Sequence, residues 1–237
     1  MPKRIAPIVK RLNRENYFKH RQITGSSILN HQGYCNKNYL LHTDKGEYIL
    51  RIFGQEKRDR NTEYQIQHLA FMHQLAPKPI VLNLEAGFMV SEYIPGKHTH
   101  ALSTRSIQAL SQALFTLHSI PFQGEHISAS IEQKSIAAFA YDPVLCHHDL
   151  NPYNILWIDD IPTLIDWEYA GINDRYFDLA SVTVEFKLDK QMSTLFLKSY
   201  FNDRRAIDTK KLHTYQTHYQ NLCEQWWQEK RSLQADS

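Results

Sequence analysis

The sequence predicts an α+β fold of two lobes, a small β-rich one over residues 1–94 and a mostly helical one over residues 95–237. Three observations predict it. From residue 38 to residue 94, short runs of β-branched and aromatic residues alternate with turn chemistry around one helical stretch. Pro95-Gly96 then breaks the pattern. Beyond it, apolar residues recur at helical spacing almost to the C-terminus, with only short strands between.

The elements follow in order. The basic start, MPKRIAPIVKRLNRE, reads as a surface helix, because charges interrupt it before any signal-peptide core can form. Residues 38–53 read as two strands joined by Asp44-Lys45-Gly46, a combination that suits a hairpin turn. Residues 58–75 take helical periodicity, with Tyr64, Leu69 and Met72 among the apolar positions, and Ala76-Pro77-Lys78-Pro79 ends them. Strands over 79–84 and 87–94 flank a turn at Asn83–Gly87. In the second lobe, Ile107, Leu110, Leu114 and Leu117 share one helical face. Further helices are expected over 130–140, 178–187, 190–201 and 208–230. Short strands Ile155–Ile158 and Thr163–Ile165 are divided by Asp159-Asp160-Ile161-Pro162.

Composition narrows the function classes. At 237 residues, 42% of them hydrophobic and 22% charged, the chain has the make-up of an ordinary globular protein. No apolar run is long enough to span a membrane. A net charge of +2 with no basic stripe interleaved with aromatics gives no reason to expect nucleic acid. Cys35, Cys146 and Cys223 form neither a disulfide framework nor a zinc pattern, which fits a cytoplasmic protein.

The chemistry concentrates in LCHHDLNPYNILWIDDIPTLIDWEYAG, residues 145–171. Asp149 and Asn154 flank Asn151-Pro152, which cannot be helix interior. If the two short strands pair, Asn154 and Asp166 emerge at the same open end. Hard oxygen donors of this kind suit Mg²⁺, which takes one or two carboxylates plus water and phosphate oxygens. Asp149 is then free to accept a hydroxyl proton. Phosphoryl transfer needs little more than such positioning and charge neutralisation. A lone Asp-x-x-x-x-Asn is usually turn and cap chemistry. Here further matches fall in order around it.

His147-His148-Asp149-Leu150-Asn151-Pro152-Tyr153-Asn154 resembles the catalytic loop H-x-D-x-x-x-x-N of the aminoglycoside phosphotransferase and choline kinase superfamily. Ile165-Asp166-Trp167-Glu168-Tyr169 resembles that superfamily's metal-binding segment. The resemblance covers nearly the whole chain and implies a two-lobed protein-kinase-like fold, with residues 1–94 as the nucleotide-binding lobe and residues 95–237 as the catalytic and substrate-binding lobe. It implies ATP and Mg²⁺ as cofactors. Asp149 would be the catalytic base, Asn154 and Asp166 the metal ligands, and the backbone of Glu92 and Ile94 the adenine contact. It also implies that Arg51, paired with Glu63, binds the ATP phosphates, although a lone arginine in a strand is most often a solvated residue. His147 would brace the loop, and His148 is expected to be exposed. The phosphate-covering loop over residues 29–38 has a single glycine, Gly33, and departs from the glycine-rich pattern of protein kinases.

For the acceptor, the resemblance points first to choline or ethanolamine, then to thiamine, then to aminoglycosides. A catalytically inactive binding module is the remaining alternative, and retention of Asp149, Asn154 and Asp166 speaks against it. A cationic alcohol is best held by aromatic faces and a carboxylate. Tyr169 follows directly on the metal-binding segment, and the resemblance to choline kinases implies Glu185, Trp226 and Trp227 as candidates for that box, with Asn151 as a further substrate contact. Neighbours on a helix point about 100° apart, so one of the two tryptophans at most is expected to face the acceptor.

Overall fold

A computed structural model describes residues 5–29, 36–54, 58–124, 126, 138–202 and 204–235, the last three of these as backbone. The chain divides into two compact units, Met1–Pro95 and Gly96–Ser237.

The first unit is built on a five-stranded antiparallel sheet in the order β1-β2-β3-β5-β4. Its strands are β1 (Ile23–Ile28), β2 (Lys37–Thr43), β3 (Gly46–Ile52), β4 (Pro79–Asn83) and β5 (Phe88–Glu92). The β2–β3 register runs to Thr43 opposite Gly46, so the turn is Asp44-Lys45. Gly46 itself opens β3 at φ 130°, a conformation that suits only glycine. Alternate residues Tyr39, Leu41, Tyr48, Leu50, Phe88 and Val90 turn inward to one core. Strand β1 was not anticipated. Its Gly-Ser-Ser centre has little strand propensity, and pairing with β2 makes it a strand.

Helix α1 (Ala6–Leu12) lies at the surface as expected, with one face turned to the core. Ile5 and Leu12, with Phe18 just beyond, join the core of the sheet, while Ala6, Pro7, Lys10 and Arg11 stay exposed. Helix α2 (Arg60–Met72) starts at the cap Asp59, whose carboxylate accepts from the Asn61 and Thr62 amides. Its buried face is not the expected one. Met72 is 65% exposed, while Arg60, Glu63, Ile66, Gln67 and Ala70 are buried. Hydrogen-bonded polar side chains line that face, so apolar periodicity alone could not find it.

In the second unit, α3 (Thr104–Leu117) is capped by Ser103, and Ile107, Leu110, Leu114 and Leu117 are all fully buried as expected. Two two-stranded antiparallel ribbons follow. One pairs β6 (Pro143–Cys146) with β9 (Gly171–Asp174); the other pairs β7 (Ile155–Ile158) with β8 (Ile161–Leu164). Ile161 and Pro162 were expected in the turn but lie in β8, because Asp159, at φ 53°, and Asp160 complete the reversal alone. Proline is tolerated there because a two-stranded ribbon has only edges. The β6–β9 ribbon was not anticipated, since strands of four nearly all-buried residues show no alternation. Helices α4 (Arg175–Glu185), α5 (Lys190–Phe201) and α6 (Thr209–Ala235) complete the unit. Of the helix expected over 130–140, residues 138–140 are not helical and the others lie outside the described residues. Gly96 is required where it stands, because a Cβ there would meet Leu156 at 2.9 Å and the Trp157 backbone at 3.2 Å. That close approach lets Lys97 bridge to Trp157 beside β7.

Candidate active site

The loop from His147 to Asn154 leaves β6 and enters β7 through a single 3₁₀ turn, Pro152–Asn154. Asn151 caps that turn by accepting from the Tyr153 amide, and Pro152 takes the first position, where its missing N–H costs nothing. Asp178 in α4 holds the start of the loop. Its two carboxylate oxygens accept the amides of His147 (2.7 Å) and His148 (2.9 Å), and one also accepts from His118. Burial alone would raise its pKa, but these hydrogen bonds and the nearby imidazoles hold it below the usual value, so it stays ionised.

His147 is fully buried, and its partners fix its tautomer. The Asp149 amide donates to Nδ1, so Nε2 carries the proton and donates to the Ile165 carbonyl at 3.0 Å. Burial lowers its pKa and keeps it neutral. The ring thus ties the catalytic loop to the residue before Asp166. His148 contradicts the expectation of exposure. It sits at φ 69° and only 9% exposed against Phe177, and Nε2 accepts from Asn173 at 2.9 Å. Burial pushes its pKa down to about 4. Its partners lie on β9 and α4, which the sequence places some 25–30 residues away.

Asp149 is partly buried. Its carboxylate accepts from Asn151 Nδ2 at 2.9 Å and from Asn154 Nδ2 at 2.7 Å. Burial pushes its pKa up to about 6, and the Asp166 and Glu185 carboxylates push the same way against the two amide donors. Because Asn154 spends Nδ2 on the Asp149 carboxylate and carbonyl, its Oδ1 is turned away from Asp149. The Ile165 amide donates to the Asn154 carbonyl, so Asp166 follows directly after this ribbon contact. Asp166 holds φ 66°, a left-handed conformation that aspartate tolerates better than most residues. An amide oxygen and a carboxylate, with no thiolate or imidazole between them, fit a hard dication such as Mg²⁺.

On α4, Glu185 accepts a hydrogen bond from Tyr219 of α6 at 2.8 Å. Burial, together with the Glu185 and Asp149 carboxylates, pushes the Cys223 thiol up to about 11. Tyr219, Cys223 and Trp226 are spaced four and then three residues apart, so they share one face of α6. Trp227 lies off that face and is 44% exposed. The two indoles meet edge to face at 4.9 Å, and Lys230 lies over the Trp226 ring. Tyr169 is partly buried beyond Asp166.

In the first unit, Arg51 donates to Glu63 at 2.8 Å, and Arg60 donates to the other oxygen of the same carboxylate at 2.6 Å. Arg60 also donates to Asn36 and lies over the Phe53 ring. Two guanidiniums thus share the one buried Glu63 carboxylate, which fixes both of them. The Glu92 amide is committed to the Lys78 carbonyl, so only its carbonyl remains for a hinge contact beside Ile94. Residues 30–35, including Gly33 and Cys35, lie outside the described residues.

Sequence reasoning missed Asp178, Arg60 and Tyr219. A charge inside the apolar run Phe177-Asp178-Leu179-Ala180 was a signal for the first. The i,i+3 spacing of Arg60 and Glu63 was one for the second. Tyr219 could have been found by stepping two helical turns back from Trp226. The one group of potential metal ligands among the described residues that includes a thiol is His118, Cys146 and Asp178. It does not look built for a metal, because Asp178 is saturated by hydrogen bonds and burial raises the Cys146 pKa well above normal.

Several known proteins are similar to this chain. Protein LicA of Haemophilus influenzae is 26% identical over 207 residues, which make up 72% of this chain and 61% of that protein. The chain therefore spans under two thirds of that relative's length. The crystal structure of choline kinase LicA from Streptococcus pneumoniae superposes with a TM-score of 0.77 at 22% identity, covering 97% of this chain and 92% of that one. A spectinomycin phosphotransferase in complex with ADP and spectinomycin has a TM-score of 0.68 at 12% identity, covering 88% and 82%. At these identities the two structures establish a kinase-like fold. The phosphotransferase enzyme family matches residues 28–133 and 129–210, most of the chain, and the protein belongs to that family.

Proposed function

We propose that the protein transfers the terminal phosphoryl group of ATP to the hydroxyl of a small cationic alcohol, choline or ethanolamine before thiamine. The observation that carries this reading is the Asp149 carboxylate held by Asn151 and Asn154, with a second carboxylate, Glu185, that is partnered by a tyrosine hydroxyl acting on it. A base with a pKa near 6 is ionised at neutral pH and still basic enough to take a hydroxyl proton as the oxygen attacks phosphorus. The bond from the terminal phosphorus to its bridging oxygen breaks, and ADP leaves. Asn151 and Asn154 orient the Asp149 carboxylate, so the base needs no reorganisation.

Asn154 and Asp166 would hold Mg²⁺, which when bound neutralises charge on the phosphate oxygens. Arg51, held by Glu63, would bind phosphate, and the Glu92 carbonyl with the Ile94 amide would receive adenine. Glu185 would supply the counter-charge for the acceptor's nitrogen, with Tyr169, Tyr219 and Trp226 as its aromatic surroundings. LicA of Streptococcus pneumoniae, named a choline kinase, supports the choice of acceptor, and the ADP complex of the spectinomycin phosphotransferase supports the nucleotide.

The test is ADP release with Mg²⁺ and ATP against choline, ethanolamine, thiamine and an aminoglycoside panel at matched concentrations. The largest kcat/KM is expected for choline or ethanolamine. A clear preference for an aminoglycoside would replace this reading of the acceptor.

A further inference from the structure

On the second unit, a cavity of about 330 Å³ is lined by Phe115, His118, Arg175, Tyr200, Arg204 and Arg205, among others. None of these residues has a part in the proposed reaction. Three guanidiniums line this space, and the carboxylate they have among the described residues is Asp142. Arg175 binds it through Nε at 2.6 Å and Nη2 at 3.0 Å, and Arg205 reaches the same carboxylate. Arg204 instead stacks its guanidinium 4.1 Å above the Phe115 ring, and no carboxylate pairs with it among the described residues. Stacking holds the plane of the fork while leaving its N–H edge for a ligand.

The floor of the cavity leads to the catalytic loop. Arg175 Nη1 donates to the Tyr200 hydroxyl at 2.8 Å, and that hydroxyl meets His118 Nδ1 at 2.7 Å. His118 Nε2 faces the ionised Asp178 at 3.2 Å, so it carries the proton and donates. In the neutral ring, Nδ1 is then the acceptor for Tyr200. Asp178 in turn holds the amides of His147 and His148, directly before Asp149. Four consecutive hydrogen-bonded groups thus join the arginine-lined cavity to the loop.

We propose that this cavity is a second ligand site, for a phosphate or phosphomonoester dianion, and that its occupancy is felt at the catalytic loop. Guanidinium exceeds carboxylate among the described residues of this concave site, which selects a compact anion of high charge, and the fork geometry of arginine matches phosphate oxygens. Occupancy draws Arg175 toward the anion and reorders its bonds to Asp142 and Tyr200, which is how the loop would sense it.

The test is calorimetric titration of the nucleotide-free protein with inorganic phosphate and, separately, phosphoethanolamine. It uses wild type, Arg204→Gln/Arg205→Gln and Arg51→Met. Both arginines of the double variant are exposed, and a melting curve checks that it folds. Binding is expected to weaken at least tenfold in the double variant and to persist in Arg51→Met, with tighter binding of one anion identifying the source. Phosphate should also shift the His147 and His148 amide resonances in wild type and not in the double variant. The proposal is overturned if neither anion binds, if the double variant binds both as wild type does, or if only Arg51→Met loses binding. Because no turnover is measured, the outcome does not depend on the acceptor assigned above.

Discussion

Asparagine at position 149 should change the pH dependence of stability in a direction that can be worked out beforehand. The Asp149 carboxyl has a pKa of about 6 in the folded chain against an ordinary value of 3.8. Between those values the folded state binds a proton that the unfolded state has lost, so stability falls as pH rises through about 6. From about pH 5 to about pH 7.5 the folded carboxyl empties, which corresponds to about one pKa unit of that gap, or about 1.4 kcal/mol. Partial solvent exposure of the side chain reduces this to about 1 kcal/mol. Asp149→Asn has no proton to lose. Its amide also places a donor against Asn151 or Asn154, which costs about 1–2 kcal/mol, but equally at both pH values. The lowered histidines, His147 and His148, titrate in both proteins and cancel in the difference. Urea denaturation of both proteins at the two pH values should therefore show the variant gaining about 1 kcal/mol on wild type at the higher pH. A difference that stays constant, or moves the other way, would refute the placement of Asp149 among burying atoms and carboxylates.

Other substitutions separate the remaining roles. Asp166→Asn keeps a residue that accepts φ 66° and removes the charge; turnover should fall at least a hundredfold with little change in melting temperature, and a variant that never loses activity, at low or at saturating Mg²⁺, would refute the metal role. Arg51→Lys retains charge but not the fork that both Glu63 and a phosphate require, so kcat/KM for ATP should fall more than tenfold, and an unchanged value would make Arg51 a purely structural partner of Glu63. Glu185→Gln and Trp226→Leu should each raise the acceptor KM about tenfold with the ATP KM nearly constant, whereas Trp227→Leu should not. Equal KM values in all three variants would remove the cation box.

Much of the fold could be read from local pattern. The helix carrying Ile107, Leu110, Leu114 and Leu117 buries all four, and α5 spans the residues that its periodicity assigned. The pairing of β7 with β8, and with it the neighbourhood of Asn154 and Asp166, followed from two short apolar runs around Asp159-Asp160. What could not be read depends on partners distant in the chain. Glu63 and Arg60 are buried because Arg51 and Asn36 meet them, so α2 conceals a polar face that its composition disguises. His148 looks exposed beside Asp149 until Asn173 and Phe177 close over it. In the same way, the contact of α6 with Glu185 needed Tyr219, which lies on the same helical face as Trp226.

Phosphorus-31 NMR of the protein mixed with Mg²⁺, ATP and, in turn, choline, ethanolamine and thiamine tests the central claim most directly. A new phosphomonoester resonance should grow in step with ADP for the wild-type protein, faster above about pH 6 than below it, and should be absent for Asp149→Asn. No phosphomonoester from choline, ethanolamine or thiamine, or an undiminished signal from Asp149→Asn, would contradict it.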